Sequence, residues 1–114
     1  MRLAASLPSC TQLQAFAAYG IGKCEMLKRI LQGLCGAAEG ALQHLRFAGC
    51  KNMGSDEAVM RELCEVLKAH KNSLEELALH YCDITSDDAG RVAEAIQGCS
   101  SLRYLDLSSN VIGK

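Results

Sequence analysis

A spaced pattern of leucines recurs along the chain and constrains its fold more than any other feature. The pattern Leu-x-x-Leu-x-Leu, with Cys or Asn at its ninth position, starts at Leu74 and Leu102; a version with one phenylalanine starts at Leu42, and a looser version starts at Leu13. The starts are 29, 32 and 28 residues apart. Such self-similarity is typical of a solenoid. We therefore interpret residues 1–114 as one repeat domain whose repeats start near 13, 42, 74 and 102.

Segments with helical periodicity lie between the leucine patterns. Apolar residues recur at the spacing of one helical face within 27–34, 60–67 and 89–96. Hydroxyl residues, Ser55 and either Thr85 or Ser86, precede acidic residues where two of these helices should start, as is typical of helix N-termini. The chain is therefore predicted to be an α/β solenoid, a short horseshoe arc with parallel strands on the concave face and helices on the convex face.

The two ends of the chain fall inside repeats. Residues 2–10 align with residues 91–99, so we expect 1–12 to be the end of one repeat, and the fourth repeat is cut short at Lys114. This alignment accounts for the N-terminal segment better than a mitochondrial presequence, which should carry several arginines on one helical face. Repeat arrays need polar terminal caps. We therefore expect the chain to be a segment of a longer array or to be covered by partner subunits.

The repeats resemble a known family. Units of about 28 residues, cysteine at the turn position, and the segments Asp-Leu-Ser-Ser-Asn-Val-Ile-Gly at 106–113 and Asp-Ala-Gly-Arg-Val-Ala-Glu-Ala-Ile at 88–96 are similar to leucine-rich repeats of the ribonuclease-inhibitor type. Ribonuclease inhibitor, Ran GTPase-activating proteins and NOD-like receptors carry such repeats. The resemblance implies the fold and a binding function, but families on one scaffold differ in their partners.

Two departures from the family pattern bear on the fold. Ala18 and Ile21 replace the expected leucine and the expected asparagine or cysteine, so an irregular first strand is expected. The repeat over residues 42–73 is longer by about one helical turn, which we place within 51–55 and 70–73. Cys50, Cys82 and Asn110 hold the turn position and are predicted to be structural.

Cysteine usage argues against a metal site. The seven cysteines are odd in number, contain no Cys-x-x-Cys pair, and are spaced 11 to 18 residues apart, whereas zinc ligands usually come as close pairs. We predict free thiols, mostly buried as small hydrophobic side chains, and no metal or other cofactor. Free thiols indicate a reducing compartment, so the predicted location is the cytoplasm.

Charge and hydropathy limit the possible partners. A formal net charge of -1, with charged residues at 22%, leaves no basic field for a phosphate backbone, so nucleic acid is not an expected partner. No stretch is apolar enough to span a bilayer, and no membrane partner is expected. The open face of a curved sheet has no enclosed pocket, so no small-molecule substrate is expected either.

Residues that point outward from stacked strands should form three columns on the concave face. In the first column lie Ala15, His44, Glu76 and Tyr104; in the second Ala17, Arg46, Ala78 and Asp106; in the third Tyr19, Ala48, His80 and Ser108. Tyrosine and arginine often anchor interfaces. The predicted partner-binding residues are Tyr19, His44, Arg46, Glu76, His80, Tyr104 and Asp106. The alternative is an ordinary solvated sheet surface.

Catalysis is not expected from this face. His44, His80, Glu76 and Asp106 are the groups that could do acid or base chemistry, but such chemistry needs enclosure and a substrate within hydrogen-bond reach. The sequence also contains no phosphate-binding loop or nucleophile elbow. We therefore predict a protein-binding or scaffold module, not an enzyme. The alternative, implied by the resemblance alone, is a regulator that activates a small GTPase.

Thiol counting tests the cysteine prediction. Titration of freshly prepared protein under denaturing, non-reducing conditions should recover seven free thiols per chain. The same titration after reduction is the control and should give the same count. A lower count before reduction would contradict the prediction.

Overall fold

The computed structural model describes residues 14–35, 42–54 and 56–111, in which strands and helices alternate. The strands are β1 (Ala15–Tyr19), β2 (His44–Ala48), β3 (Glu76–His80) and β4 (Tyr104–Asp106), and the helices are α1 (Cys24–Cys35), α2 (Glu57–Ala69) and α3 (Ser86–Ala95). The strands form one parallel sheet in chain order. The predicted α/β solenoid is confirmed. The expected repeat end at 1–12 lies outside the described residues.

The strand register follows the phase of the repeats. Leu45 of β2 lies opposite Leu77 of β3, which lies opposite Leu105 of β4. The expectation of an irregular first strand is wrong, because β1 pairs with β2 in the same register over all five residues. Backbone hydrogen bonds set that pairing, and the small Ala18 lies opposite the large Phe47, whose ring centroid is 6.1 Å from that of Phe16. Phe47 thus lies at the level where a leucine is missing, and its ring contacts Phe16 of the adjacent level.

Inward-facing strand residues and one face of each helix make a continuous aliphatic core. Leu77 and Leu79 of β3 are fully buried, as are Leu63 and Leu67 of α2. Full burial of a leucine side chain stabilises the fold by about 1.5–3 kcal/mol. In β4, the last strand of the described sheet, Leu105 is 44% exposed. The core therefore depends on neighbouring repeats on both sides, as expected for a solenoid.

Side chains at the turn position join adjacent repeats. The Asn110 amide nitrogen donates to the Leu79 carbonyl at 2.6 Å, and its amide oxygen accepts from the backbone N–H groups of Cys82 and Ile84 at 2.7 and 3.0 Å. The buried Cys82 thiol lies 3.3 Å from the Phe47 carbonyl of the preceding repeat. These bonds satisfy backbone groups that the turn leaves without strand partners. The predicted structural role of the turn position is confirmed.

The cap of α3 agrees with expectation, whereas the cap of α2 lies one residue later than expected. At α2 the N-cap is Asp56, whose carboxylate accepts the Val59 N–H at 3.1 Å, while Ser55 lies outside the described residues. At α3 the cap is Thr85, in a capping box with Asp88 that satisfies N–H groups in both directions. Within the described ranges, no helix has the length and hydropathy needed to cross a membrane.

A buried histidine joins two repeats on the other side of the fold from the turns. His70 follows α2, is 1% exposed, and bonds through Nε2 to the Leu34 carbonyl at 2.9 Å, while its Nδ1 accepts the Leu42 N–H at 3.4 Å. A neutral ring with its proton on Nε2 satisfies both bonds. His70 thus connects the end of α1 to the chain entering β2.

We expect His70→Ala to lower the free energy of unfolding by about 1–3 kcal/mol, because a buried carbonyl and a buried N–H lose their partner. Urea unfolding followed by circular dichroism measures the change. His80→Ala is the control, since His80 lies on the concave face, and it should change stability by about 0.5 kcal/mol or less. Equal effects of the two substitutions would contradict the role of His70.

Candidate functional site

The strand register arranges outward-pointing residues into columns on the sheet face turned away from the helices, here called the concave face. His44, Glu76 and Tyr104 are successive partners across β2, β3 and β4. Arg46 and Asp106 flank Ala78 in the neighbouring column. The columns were predicted from the sequence, and the pairing confirms them for the residues within strands. All seven predicted binding residues lie on this face, whereas their role in binding stays a prediction.

A histidine and a carboxylate pair across β2 and β3. The His44 Nδ1 contacts the Glu76 Oε2, and each side chain is about two-fifths exposed. The carboxylate accepts the Nδ1–H and so holds the imidazole ring in one orientation. Glu76 is thereby hydrogen-bonded within the protein, although its surface remains accessible to a partner.

A second cluster lies where β3 and β4 end. His80 Nδ1 is 2.8 Å from the Ser108 hydroxyl oxygen, and the Ser108 backbone N–H donates to the Asp106 carboxylate at 2.9 Å. Hydrogen bonds from the Ser108 hydroxyl and N–H lower the pKa of Asp106, and the nearby His80 and Arg46 lower it further. If the hydroxyl proton goes to Asp106, His80 must donate to the hydroxyl oxygen.

The order of groups in this cluster differs from a nucleophilic triad. Ser108 lies between His80 and Asp106, whereas in a triad the histidine lies between the nucleophile and the acid. The arrangement positions three polar groups relative to one another. Among the described residues, moreover, no three His, Cys, Asp or Glu side chains could share a metal ion.

The middle column is less exposed than the sequence suggested. Ala78 points outward in register but is only 3% exposed, because a methyl group on a central strand lies below its longer neighbours. Arg46 beside it is exposed and has no carboxylate within 4 Å among residues 14–35, 42–54 and 56–111. In this column the Arg46 and Asp106 side chains therefore lie on either side of the small, buried Ala78.

Aromatic residues lie toward the margins of the face. Tyr19 at the end of β1 is 67% exposed, and Tyr104 at the start of β4 is 46% exposed. The third tyrosine, Tyr81, was expected beside the sheet but was not among the predicted binding residues. It directly follows β3 and lies under the Lys51 ammonium, 5.1 Å from the ring centroid. Its signal in the sequence was the alignment of position 81 with Gly20 and Gly49 in the preceding turns.

The helical face offers a different surface. A cavity of about 310 Å³ lies between α2 and α3 and is lined mainly by charged residues. Arg91 and Glu57 at this cavity are 3.9 Å apart, and both are largely exposed. Cys64 also lines it, and burial raises the pKa of that thiol, which disfavours the reactive thiolate. The cavity therefore lacks the aromatic residues and the ordered polar clusters of the concave face.

Comparisons with known proteins agree with the architecture. A family model for the leucine-rich repeat matches residues 70–93 and 98–114. The chain is 35% identical over 88 residues to NACHT, LRR and PYD domains-containing protein 2 of Homo sapiens, covering 61% of this chain and 8% of that protein. It is 41% identical over 58 residues to ribonuclease inhibitor of Mus musculus, covering 51% of this chain and 12% of that protein. The chain thus spans about a tenth of these relatives.

A solved structure extends the likeness in fold. The C-terminal domain of tropomodulin from Caenorhabditis elegans superimposes with a TM-score of 0.66 over 90% of this chain and 62% of that one. The two sequences are 15% identical, so this match concerns the fold alone. The sequence relatives and the structural relative point to the same repeat architecture.

We expect Ser108→Ala to raise the pKa of Asp106 toward its ordinary value, because the hydrogen bond from the Ser108 hydroxyl to the carboxylate is lost. Since the folded-state pKa lies below the unfolded value, Asp106 stabilises the fold above the unfolded pKa, and this contribution disappears as pH falls through the folded pKa. Carboxyl-carbon NMR titration measures the shift. Ser101→Ala, at an exposed turn, should leave Asp106 unchanged; an unchanged pKa in Ser108→Ala would refute the assignment.

Proposed function

The chain is a leucine-rich-repeat protein of the ribonuclease-inhibitor type, and we propose that it binds a partner protein through the concave face. Leucine-rich-repeat proteins generally bind other proteins. The observation that carries the proposal is the parallel register, which gathers His44, Arg46, Glu76, Tyr104 and Asp106 on one open surface from three separate repeats. Tyr19 and His80 extend this surface toward the ends of the strands.

The chemistry of the face suits protein recognition. Exposed tyrosines combine a large apolar ring with a hydroxyl group, and arginine adds planar hydrogen-bond donors; both are common at interface hot spots. The bonds between His44 and Glu76, and between Ser108 and Asp106, fix side chains before a partner arrives. Side chains that are already ordered lose less conformational entropy on binding.

We propose further that the chain works within a larger assembly or a longer repeat array in the cytoplasm. The curated relatives are much longer than their matched segments, which supports the first part. Among the described residues, Cys24, Cys50, Cys64, Cys82 and Cys99 are free thiols, which supports a reducing compartment. GTPase activation remains the alternative function, and a hydrolysis assay with candidate small GTPases tests it.

Site-specific photocrosslinking identifies the partner and its face in one experiment. A photoreactive phenylalanine analogue replaces Ala17, an exposed residue of the second column, or Glu94, an exposed residue of α3. Irradiation in extract followed by mass spectrometry should yield a protein adduct from position 17 and none of that protein from position 94. Adducts from position 94 alone would place binding on the helical face and overturn the proposal.

Affinity measurements with the captured protein, once purified, then test individual residues. His44→Ala, Arg46→Ala, Tyr104→Ala and Asp106→Ala are expected to weaken binding, with about 2 kcal/mol or more lost at any true hot spot. Circular dichroism should show unchanged folding. The matched controls Arg61→Ala and Arg91→Glu alter charge on the helices and should leave affinity unchanged. Loss of binding in the controls with none in the four concave variants would contradict the concave assignment.

A further inference from the structure

The residue seven positions after the start of each repeat, at 13, 42, 74 and 102, makes the same turn in all four repeats. Gly20, Gly49, Tyr81 and Ser109 all have positive φ, at 70°, 67°, 56° and 59°. The first three donate their backbone N–H to a carbonyl of the following repeat, at 2.9, 2.9 and 3.1 Å. The left-handed conformation therefore belongs to this position of the repeat whether glycine, tyrosine or serine occupies it, and in the first three repeats it accompanies a hydrogen bond to the following repeat.

Tyr81 is the unfavourable residue in this series. Glycine adopts positive φ without cost, whereas a residue with a Cβ is destabilised there, and a bulky aromatic residue is rare. The Tyr81 side chain is 47% exposed, so burial does not compensate for the backbone strain. Strained residues of this kind concentrate at functional sites. The Tyr81 ring contacts Lys51, whose ammonium lies 5.1 Å from the ring centroid, so the strained residue lies next to a cation.

The charges around Tyr81 favour an acidic partner group. On the concave face Glu76 is engaged by His44, and Asp106 by Ser108. Asp83, two residues beyond Tyr81, accepts the Asn52 N–H at 3.1 Å. Lys51 and Arg46, in contrast, have no carboxylate within 4 Å in the part of the chain that the structure describes. Next to Tyr81, Lys51 is therefore a cation without a carboxylate partner among the described residues.

We propose that Tyr81 and Lys51 form an anchor that binds a carboxylate side chain of the partner protein at the edge of the concave face. The Lys51 ammonium pairs with the carboxylate, and the Tyr81 hydroxyl donates a hydrogen bond to it. The ring beneath the ammonium holds the lysine in place. This proposal rests on the proposed function, because it extends the concave surface onto the turns that follow the strands.

The strain can be tested on the full chain without a partner. Tyr81→Gly and Tyr81→Ala both remove the ring and its contact with Lys51, so they differ only in tolerance of positive φ. The glycine variant should have the higher urea midpoint, the reverse of the order expected at negative φ. The same pair of substitutions at Lys71, an exposed turn residue outside the positive-φ series, is the control and should favour alanine. An alanine variant at 81 as stable as the glycine variant would overturn the premise.

Crosslinking tests the anchor and separates it from the proposed function. A photoreactive phenylalanine analogue at position 81 should capture the same protein as the analogue at Ala17. Capture from 17 but not from 81 would overturn the anchor and leave the concave proposal standing. Capture from 81 but from no concave column would instead refute the concave proposal, and capture from neither position would refute both.

The carboxylate is tested by chemistry. A carbodiimide activates partner carboxylates, and an amine in contact displaces the activated oxygen to form an amide, releasing the reagent as its urea. Mass spectrometry should find Lys51 joined to an aspartate or glutamate of the captured protein, with Lys71 unmodified as the control. Tyr81→Gly should weaken affinity about 30-fold, as hot-spot truncations do, although it should be more stable than Tyr81→Ala. Unchanged affinity in Tyr81→Gly and Lys51→Gln, or an amide at Lys71 only, would refute the anchor.

Discussion

Parallel pairing of strands in identical register is the constraint on which the rest of this structure depends. Because Leu45, Leu77 and Leu105 occupy the same level of successive strands, every inward side chain meets its own equivalent. The period of two along a strand then sends every alternate residue to the opposite face. A register slip of one residue would exchange the core for the concave surface, so core burial and the columns of the concave face are fixed together.

The same register makes the repeats depend on one another at their turns. Asn110 satisfies backbone groups of the preceding turn at Cys82 and Ile84, so one repeat completes the hydrogen bonding of another. Cys82 lies against the preceding repeat in turn, and a hydrogen bond with the Cys50 thiol, together with burial, raises the pKa of the Cys82 thiol. A neutral thiol suits such a dry interior. The cysteines thus serve as small packing side chains at positions where asparagine would serve by hydrogen bonding.

Sequence reasoning recovered the features that depend on periodicity and missed those that depend on a single distant neighbour. The strands, the inward leucines and the columns follow from residues spaced by two or by one repeat. The His70 bonds to Leu34 and Leu42 join residues 36 and 28 positions apart and break no pattern in the sequence. Likewise, the burial of Ala78 results from the side chains on either side of it. The alignment of Tyr81 with Gly20 and Gly49 in the sequence could have indicated an unusual turn residue. Only the backbone geometry showed that the position has positive φ.

Alternation across the sheet allows binding and stability to change independently at most positions of this fold. A substitution at Arg46 or Tyr104 alters the concave face and leaves the core layer beneath it intact, since inward residues carry the burial. The position of Gly20, Gly49, Tyr81 and Ser109 is the exception, because its residue must adopt positive φ while its side chain lies beside the concave face. Glycine there favours the fold, and a tyrosine there favours recognition. Where a repeat such as the third carries tyrosine at this position, stability and binding are expected to oppose each other.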